Sequence, residues 1–241
     1  MNFVVTIPVC NDTLAKQLMS SISRNTLLPS KVIIVDNTDH RHSSLNFKSD
    51  KFKIETYRRN SGPMKVNESW RYGIENRGNC DALCILNDDI LLGKQFFSRL
   101  ERIFEADKKC GVACPRTVER MQDMKEYPFD SYDIRPMKRR QGWAMTIRNE
   151  CFDVIPPLPD HIIETFFGDD WIYMWTARIR RWKWVWDLHN VIWHKVGTTV
   201  KRRGYMKTMR GERLEYYDYV NSFRSKIDKE IFKSKRMEEA K

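Results

Sequence analysis

Two short acidic clusters stand where chemistry is usually placed. Asn87-Asp88-Asp89 follows the apolar run Ala82–Leu86, and Asp169-Asp170 follows Phe166-Phe167-Gly168. Asn11 and Asp36-Asn37 close two further apolar runs. In an open parallel sheet, ligands bind beyond the carboxyl ends of the strands. A carboxylate there can receive a base or ribose hydroxyl, and two nearby oxygens can hold a divalent ion that bridges phosphates. A nucleoside diphosphate suits that set. Each cluster also has a plainer reading: Asn87-Asp88-Asp89 as a polar turn, and Asp169-Asp170 as a helix cap with a first-turn acid. His194, directly after Trp193, reads by itself as a packed side chain.

The elements needed to hold these residues can be read from hydrophobic patterning. Residues 3–9 (FVVTIPV) form a β-branched run suited to a strand buried on both faces, closing at Pro8. Asn11, Asp12 and Thr13 can cap a helix in which Leu14, Leu18 and Ile22 share a face. The run 31–39 (KVIIVDNTD) is a second strand, 52–59 (FKIETYRR) a third, and 81–90 (DALCILNDDI) a fourth, with a loop and helix over 60–75 between the last two. A helix at 95–104, a strand at 111–116, a long loop or flap at 117–140 and a strand at 142–148 follow. An amphipathic helix over 163–182 then leads to two closing strands, 182–188 and 190–194. Tyr216, Val220, Phe223, Ile227 and Ile231 make a helical stripe near the end. Alternating strands and helices predict an α/β fold, a mostly parallel sheet flanked by helices.

At 241 residues and 41% hydrophobic, the chain can bury one substantial core. Its 43 Lys and Arg against 32 Asp and Glu leave a formal charge of +11, which favours polyanionic partners. No apolar stretch is long enough to span a bilayer and no signal-like segment opens the chain, so a soluble, cytoplasmic protein is expected. The equal spacing of Cys80/Cys84 and Cys110/Cys114 allows a zinc site, but Cys84 and Cys114 lie in apolar runs, and reduced structural thiols are the preferred reading.

In their order along the chain, these segments resemble the inverting GT-A glycosyltransferases of the large family that includes rhamnosyl-, galactosyl- and glucosyltransferases. IPVCND is similar to the family's first strand, where the uridine base docks near Pro8 and Asn11. VIIVDNTD is similar to its second nucleotide-binding strand and implies Asp36 as a uracil or ribose contact. NSGPMKVNESWRYGI implies Asn60, Gly62 and Asn67 in a donor-binding loop. LNDDI resembles the motif in which two Asp residues flanking any residue grip the pyrophosphate's Mn²⁺ or Mg²⁺; Asn87 stands at its first Asp, so Asp89 becomes the metal ligand and Asp88 a secondary candidate. FFGDDW resembles the acidic pair of the acceptor side, implying Asp170 as general base and Asp169 as its orienter. NVIWHKVGTT implies that His194 completes the metal site. The resemblance divides the chain into a catalytic domain over 1–200, with a nucleotide-sugar half over 1–116 and an acceptor half over 141–200, and a basic helical extension over 201–241.

The expected activity is metal-dependent transfer of a sugar, hexosyl or pentosyl, from a UDP-sugar to an acceptor hydroxyl. Arg178, Arg180, Arg181 and Lys183, interleaved with Trp, and Lys201, Arg202 and Arg203 suit phosphates and stacked bases, which favours a hydroxymethylated pyrimidine in DNA, as in bacteriophage DNA glycosylation. For the tryptophans themselves, an ordinary amphipathic helix leading into a core strand, with the rings packed inward, is the preferred reading. The rivals are a cell-surface or lipid-linked glycan acceptor, reached through peripheral membrane contact of the basic C-terminal helix, and a catalytically inactive nucleic-acid-binding protein on the same fold. A nucleotidyltransferase is disfavoured, since no Gly-rich phosphate loop follows the first strand.

Overall fold

The structure is a computed structural model that describes residues 1–38, 45–58, 65–137, 140–195 and 205–222, with 226, 228 and 229. Among these residues nine strands share one sheet. Its order is β3 (Lys53–Arg58), β2 (Lys31–Asp36), β1 (Phe3–Val9), β4 (Ala82–Leu86), β8 (Ala144–Arg148), β6 (Cys110–Val118), β9 (Lys183–His194) and β5 (Ile90–Leu92), and β7 (Ile134–Pro136) adds to β9. Strands β3, β2, β1, β4, β6 and β9 run one way, and β8, β5 and β7 run against them. The sheet is therefore mostly parallel, as its sequence pattern predicts, with β8 inserted antiparallel between β4 and β6.

β1 is buried along its whole length because helices cover both sheet faces. On one face α1 (Asp12–Ser23) and α3 (Phe96–Ala106) press Leu18, Ile22, Phe97 and Leu100 against Phe3, Val5 and Ile7. On the other, α2 (Val66–Glu75) and α4 (Gly168–Tyr173) bring Trp70, Trp171 and Ile172 to Val4, Leu83 and Ile85. Each aliphatic side chain fully buried this way contributes about 1.5–3 kcal/mol. α2 lies so close to β1 that a Cβ on Gly73 would meet Thr6 Oγ1 at 2.2 Å. β3, at the sheet edge, is largely exposed and carries Lys53, Glu55 and Arg58, charges that discourage pairing with another chain.

Several boundaries differ from the sequence reading. The fourth strand stops at Leu86; residues 87–89 turn, and Ile90 starts the separate strand β5 against β9. The two predicted closing strands are one strand, β9, broken by a bulge: Pro115 pairs with Asp187 but Arg116 pairs with Val191. Asp187 caps that bulge by accepting from His189 N at 3.0 Å. The predicted flap is only partly loop, since β6 runs to Val118 and β7 pairs with β9. Buried Arg99 pins it by donating to the carbonyls of Tyr127, Pro128 and Ser131. The predicted 163–182 helix is α4 continued by π-helical turns over Met174–Ile179. In α5 (Tyr205–Ser222), Tyr216 is buried and Val220 half-buried, while Phe223, Ile227 and Ile231 lie outside the described residues. All six cysteines are free and five are buried; burial pushes the Cys84 thiol up to about 12.

Candidate functional site

The carboxyl ends of β1, β2 and β4 lie side by side, and most of the polar residues there hold one another. Asp88 Oδ2 accepts from the backbone N–H of Cys10 at 2.6 Å and of Asn11 at 2.7 Å, tying the end of β4 to the end of β1. Burial raises its carboxyl to about 6, against the pull of those two N–H donors. The Asn11 side chain accepts from Leu14 N at 3.1 Å and so caps α1. Asp36, with no exposed surface, accepts from Thr38 N at 3.0 Å and Thr38 Oγ1 at 2.5 Å, and Asn37 donates to Ser69 Oγ at 2.9 Å. Pro8 is buried within β1, paired in register with Val35. Of the residues the resemblance assigns to the donor, Asn11, Asp36 and Asp88 thus shape the edge through their own bonds, and Asn60 and Gly62 lie outside the described residues.

Asn67 stands in the first turn of α2 and joins two segments. It is fully buried, and its amide donates to the carbonyls of Ile163 at 3.0 Å and Phe166 at 2.7 Å. That fastens the start of α2 to the segment leading into α4. The fastening explains Gly168: a Cβ there would come within 2.2 Å of Asn67 Oδ1 and 2.8 Å of the Trp70 ring.

Asp89 and His194 are in contact. Asp89 Oδ1 is 3.2 Å from His194 Nε2, the two residues ending β9 and entering β5, and Asp89 O accepts from Lys195 N at 2.9 Å. The imidazole stacks on Trp143 at 5.2 Å between ring centres and 12° between planes, while Trp143 Nε1 donates to Thr117 Oγ1 at 2.8 Å. Asn87 N donates to Trp143 O at 2.9 Å, and Asn87 Oδ1 is buried without a hydrogen-bond partner among the described residues.

Asp169 and Asp170 project from the first turn of α4. Burial, then the charge of Asp170, raises Asp169 to about 6; burial also raises Asp170, opposed by Arg140 and Arg178. Arg140 Nε lies 2.5 Å from Asp170 Oδ1, and its guanidinium covers the Tyr173 ring at 5.3 Å. The turn into α4 puts Phe167 at φ 62°, a left-handed conformation costing about 1–3 kcal/mol for a bulky side chain. It is held from α5, where Tyr216 stacks on Phe167 at 5.3 Å and Glu212 accepts from the backbone of Thr165 and Phe166.

Residues 140–143 link the two acidic clusters. Arg140 grips Asp170, a Cβ on Gly142 would stand 3.3 Å from Asp169 Cγ, and Trp143 backs His194 and Asn87. The sequence reading left Arg140 at the end of a predicted loop, gave Gly142, Trp143 and Glu212 no role, and took Tyr216 only as part of a helical stripe. Their signals are faint: a Gly-Trp pair after that loop, and a Glu within a basic helix.

The tryptophans of the basic stretch pack inward, the preferred of the two readings of that stretch. Trp184 is buried and donates to Thr176 Oγ1 at 2.8 Å, and half-buried Trp186 donates to Gln141 Oε1 at 3.3 Å. Lys183 sits at the amino end of β9, the edge opposite His194, and pairs with Asp107 at 2.7 Å. Arg178, Arg180 and Arg181 are exposed, and the charge of Arg178 acts on Asp170. Lys201, Arg202 and Arg203 lie outside the described residues.

The residues present fit a divalent ion only as a partial cage. Among the described residues no three His, Cys, Asp or Glu side chains converge, but Asp89 and His194 stand together where β5 pairs with β9. Mg²⁺ and related ions are commonly held by one or two protein ligands with substrate phosphates completing the shell.

No family model matches the sequence, and neither does any curated protein. Solved structures do match. A crystal structure of GalNAc-T7 with UDP, GalNAc and Mn²⁺ superposes with a TM-score of 0.64 at 11% identity, over 80% of this chain and 44% of that one. Staphylococcus aureus TarS gives a TM-score of 0.58 at 11% identity over 97% of this chain, and TarS 1-349 with UDP-GlcNAc gives 0.59 at 12% over 89%. The chain spans 43% of the former and 66% of the latter. Likeness at this identity establishes the fold, which is that of a GT-A-type glycosyltransferase.

Proposed function

We propose that the chain transfers a sugar from a nucleotide-sugar donor, with UDP as carrier, to an acceptor hydroxyl with inversion at the anomeric carbon. The observation that supports this most is the junction at residues 140–143, which joins the Asp89–His194 pair to the Asp169–Asp170 pair beside the β4 edge. A donor's diphosphate belongs at the first pair and the acceptor hydroxyl at the second. GalNAc-T7 and TarS, whose fold this chain shares, are crystallised with UDP or UDP-GlcNAc.

In this reading Asp170 accepts the acceptor's proton as its oxygen bonds to the anomeric carbon and the bond from that carbon to the diphosphate breaks. Arg140 keeps Asp170 ionised and aimed, countering the burial that favours its protonated form. Asp169 stands beside it as orienter. Asp89 and His194 would hold Mn²⁺ or Mg²⁺, which when bound supplies positive charge to the departing diphosphate.

The formal charge of +11 supports a polyanionic acceptor, and hydroxymethylated pyrimidine in DNA is the first to test. The assay incubates the protein with UDP-sugars and Mn²⁺ plus hydroxymethylated DNA, plain DNA, or oligosaccharide and lipid-linked glycans, reading UDP release and product mass. A mass increase on the modified nucleoside is expected, lost with Asp170→Asn and with Asp89→Ala. Transfer only to glycans sinks the DNA acceptor, and no turnover of any nucleotide sugar sinks the transferase reading.

A further inference from the structure

The C-terminal helix does more than carry charge. Of the side chains described in α5, Glu212 and Tyr216 are buried and Tyr219 and Val220 half-buried, while Arg213, Leu214, Tyr217 and Asp218 face outward. Spacings of four, three and one place the inner residues on one face. Among the described residues that face packs on the approach to α4 and on α4 itself. Glu212 spends both carboxylate oxygens on two successive amides: Oε1 and Oε2 lie 3.0 and 3.1 Å from Thr165 N, and Oε2 lies 2.8 Å from Phe166 N. One turn on, Tyr216 stacks on Phe167, and Tyr219 packs on Trp171 at 5.9 Å. Phe167 is the residue with the left-handed backbone, and its carbonyl accepts from Trp171 N, closing the first turn of α4. From the other side Asn67 binds the carbonyls of Ile163 and Phe166. The turn is therefore held through its N–H groups by α5 and through its C=O groups by α2.

We propose that α5 is a working part of the acceptor side and that Glu212 is a positioning residue, setting the turn at Phe167 so that Asp169 and Asp170 leave α4 in their functional directions. A carboxylate is suited to this because it accepts two neighbouring N–H groups at once with a charge-assisted bond. A glutamine offers one oxygen and turns an NH₂ toward a donor. The inference rests on the acceptor-side role proposed for the acid pair. The groups that face that pair, and would report its displacement, are Arg140 before β8, Arg178 in the π-helical turns and Tyr216 on α5.

The test compares the full chain with Glu212→Gln and Glu212→Ala by steady-state transfer, UDP calorimetry and ¹³C titration of aspartate carboxyls. Misplacing a catalytic group by about an ångström costs on the order of a hundredfold. The expected result is a fall in kcat of about 10- to 100-fold in both variants, with KM for the nucleotide sugar and UDP affinity changed less than about threefold. The Asp169 and Asp170 titration midpoints should move. Unchanged kcat, or parallel loss of UDP affinity, overturns the proposal, as does failure of both variants to fold, which would make Glu212 a stability residue. If the wild type turns over no nucleotide sugar, the transferase reading fails by itself; the carboxyl titrations then decide the positioning role, with unmoved midpoints rejecting it.

Discussion

Gly168→Ala is the sharpest probe of how the acid pair is mounted, because two physical terms oppose each other there. Gly168 begins α4 with an ordinary negative φ, so a methyl group on backbone grounds alone favours the helix by up to about 1 kcal/mol. Against that stands contact. The new Cβ would lie 2.2 Å from Asn67 Oδ1, 2.8 Å from Trp70 Cζ3 and 3.0 Å from Asn67 Cγ. Asn67 is fully buried and its amide is committed to two carbonyls, so it cannot swing aside without breaking both bonds. Overpacking of this kind costs about 1–3 kcal/mol, and each buried hydrogen bond given up adds about 1 kcal/mol. The balance is a net loss of about 2–4 kcal/mol, a melting temperature lower by roughly 4–16 °C for a chain of this size. The assay is thermal and denaturant unfolding of Gly168→Ala, Asn67→Ala and the double variant. In the Asn67→Ala background the alanine should cost less than in the wild type, since only the approach to Trp70 at 2.8 Å remains. A Gly168→Ala protein as stable as wild type, or a cost unchanged by Asn67→Ala, refutes the account of this junction.

Arg140→Ala removes the cation that opposes burial at Asp170. The carboxyl, already raised, rises further, so the acidic limb of the transfer rate moves to higher pH; a limb that stays put excludes Arg140 as the group keeping Asp170 ionised. Asp169 is raised to about 6 in the folded protein from about 3.8, so the folded state holds its proton more tightly and wild-type stability falls as pH climbs through that window. Asp169→Asn removes this term, and its stability relative to wild type should increase by up to about 3 kcal/mol between pH 4 and 7, then level off. Denaturant melts at several pH values read it, and a difference that does not change with pH contradicts the buried, destabilised carboxylate.

The sheet was legible from patterning because its strands are long apolar runs: 3–9 and 82–86 have no polar residue on either face except Thr6, which only a strand covered on both sides tolerates. What patterning lacks is a sign for direction. The run 142–148 reads the same parallel or antiparallel, so the reversed insertion of β8 was invisible, and the bulge in β9 appeared only as a break between two strands. The turn after Leu86 was misjudged because Ile90 continues the apolar count while the chain has already reversed.

The site was half legible, and the half that was missed is the part that joins its pieces. Asp89 with His194, and Asp169 with Asp170, are recognisable because carboxylates at strand ends and helix starts are rare enough to attract notice. Residue type, however, does not say what an acid holds. Asp88 has the same identity and neighbourhood as Asp89, but its oxygen is spent on the amides of Cys10 and Asn11, so the motif splits into one residue that fixes the strand edge and one that faces the histidine. Asn87, which departs from the motif, leaves a buried amide oxygen with no hydrogen-bond partner among the described residues, and burying an acceptor unpaired costs about 1–3 kcal/mol. On a solvated polar turn that oxygen would meet water, so its burial marks Asn87 as part of the packed end of β4. The residue at which the sequence departs from the motif is held there by the carbonyl of Trp143, whose ring also backs His194.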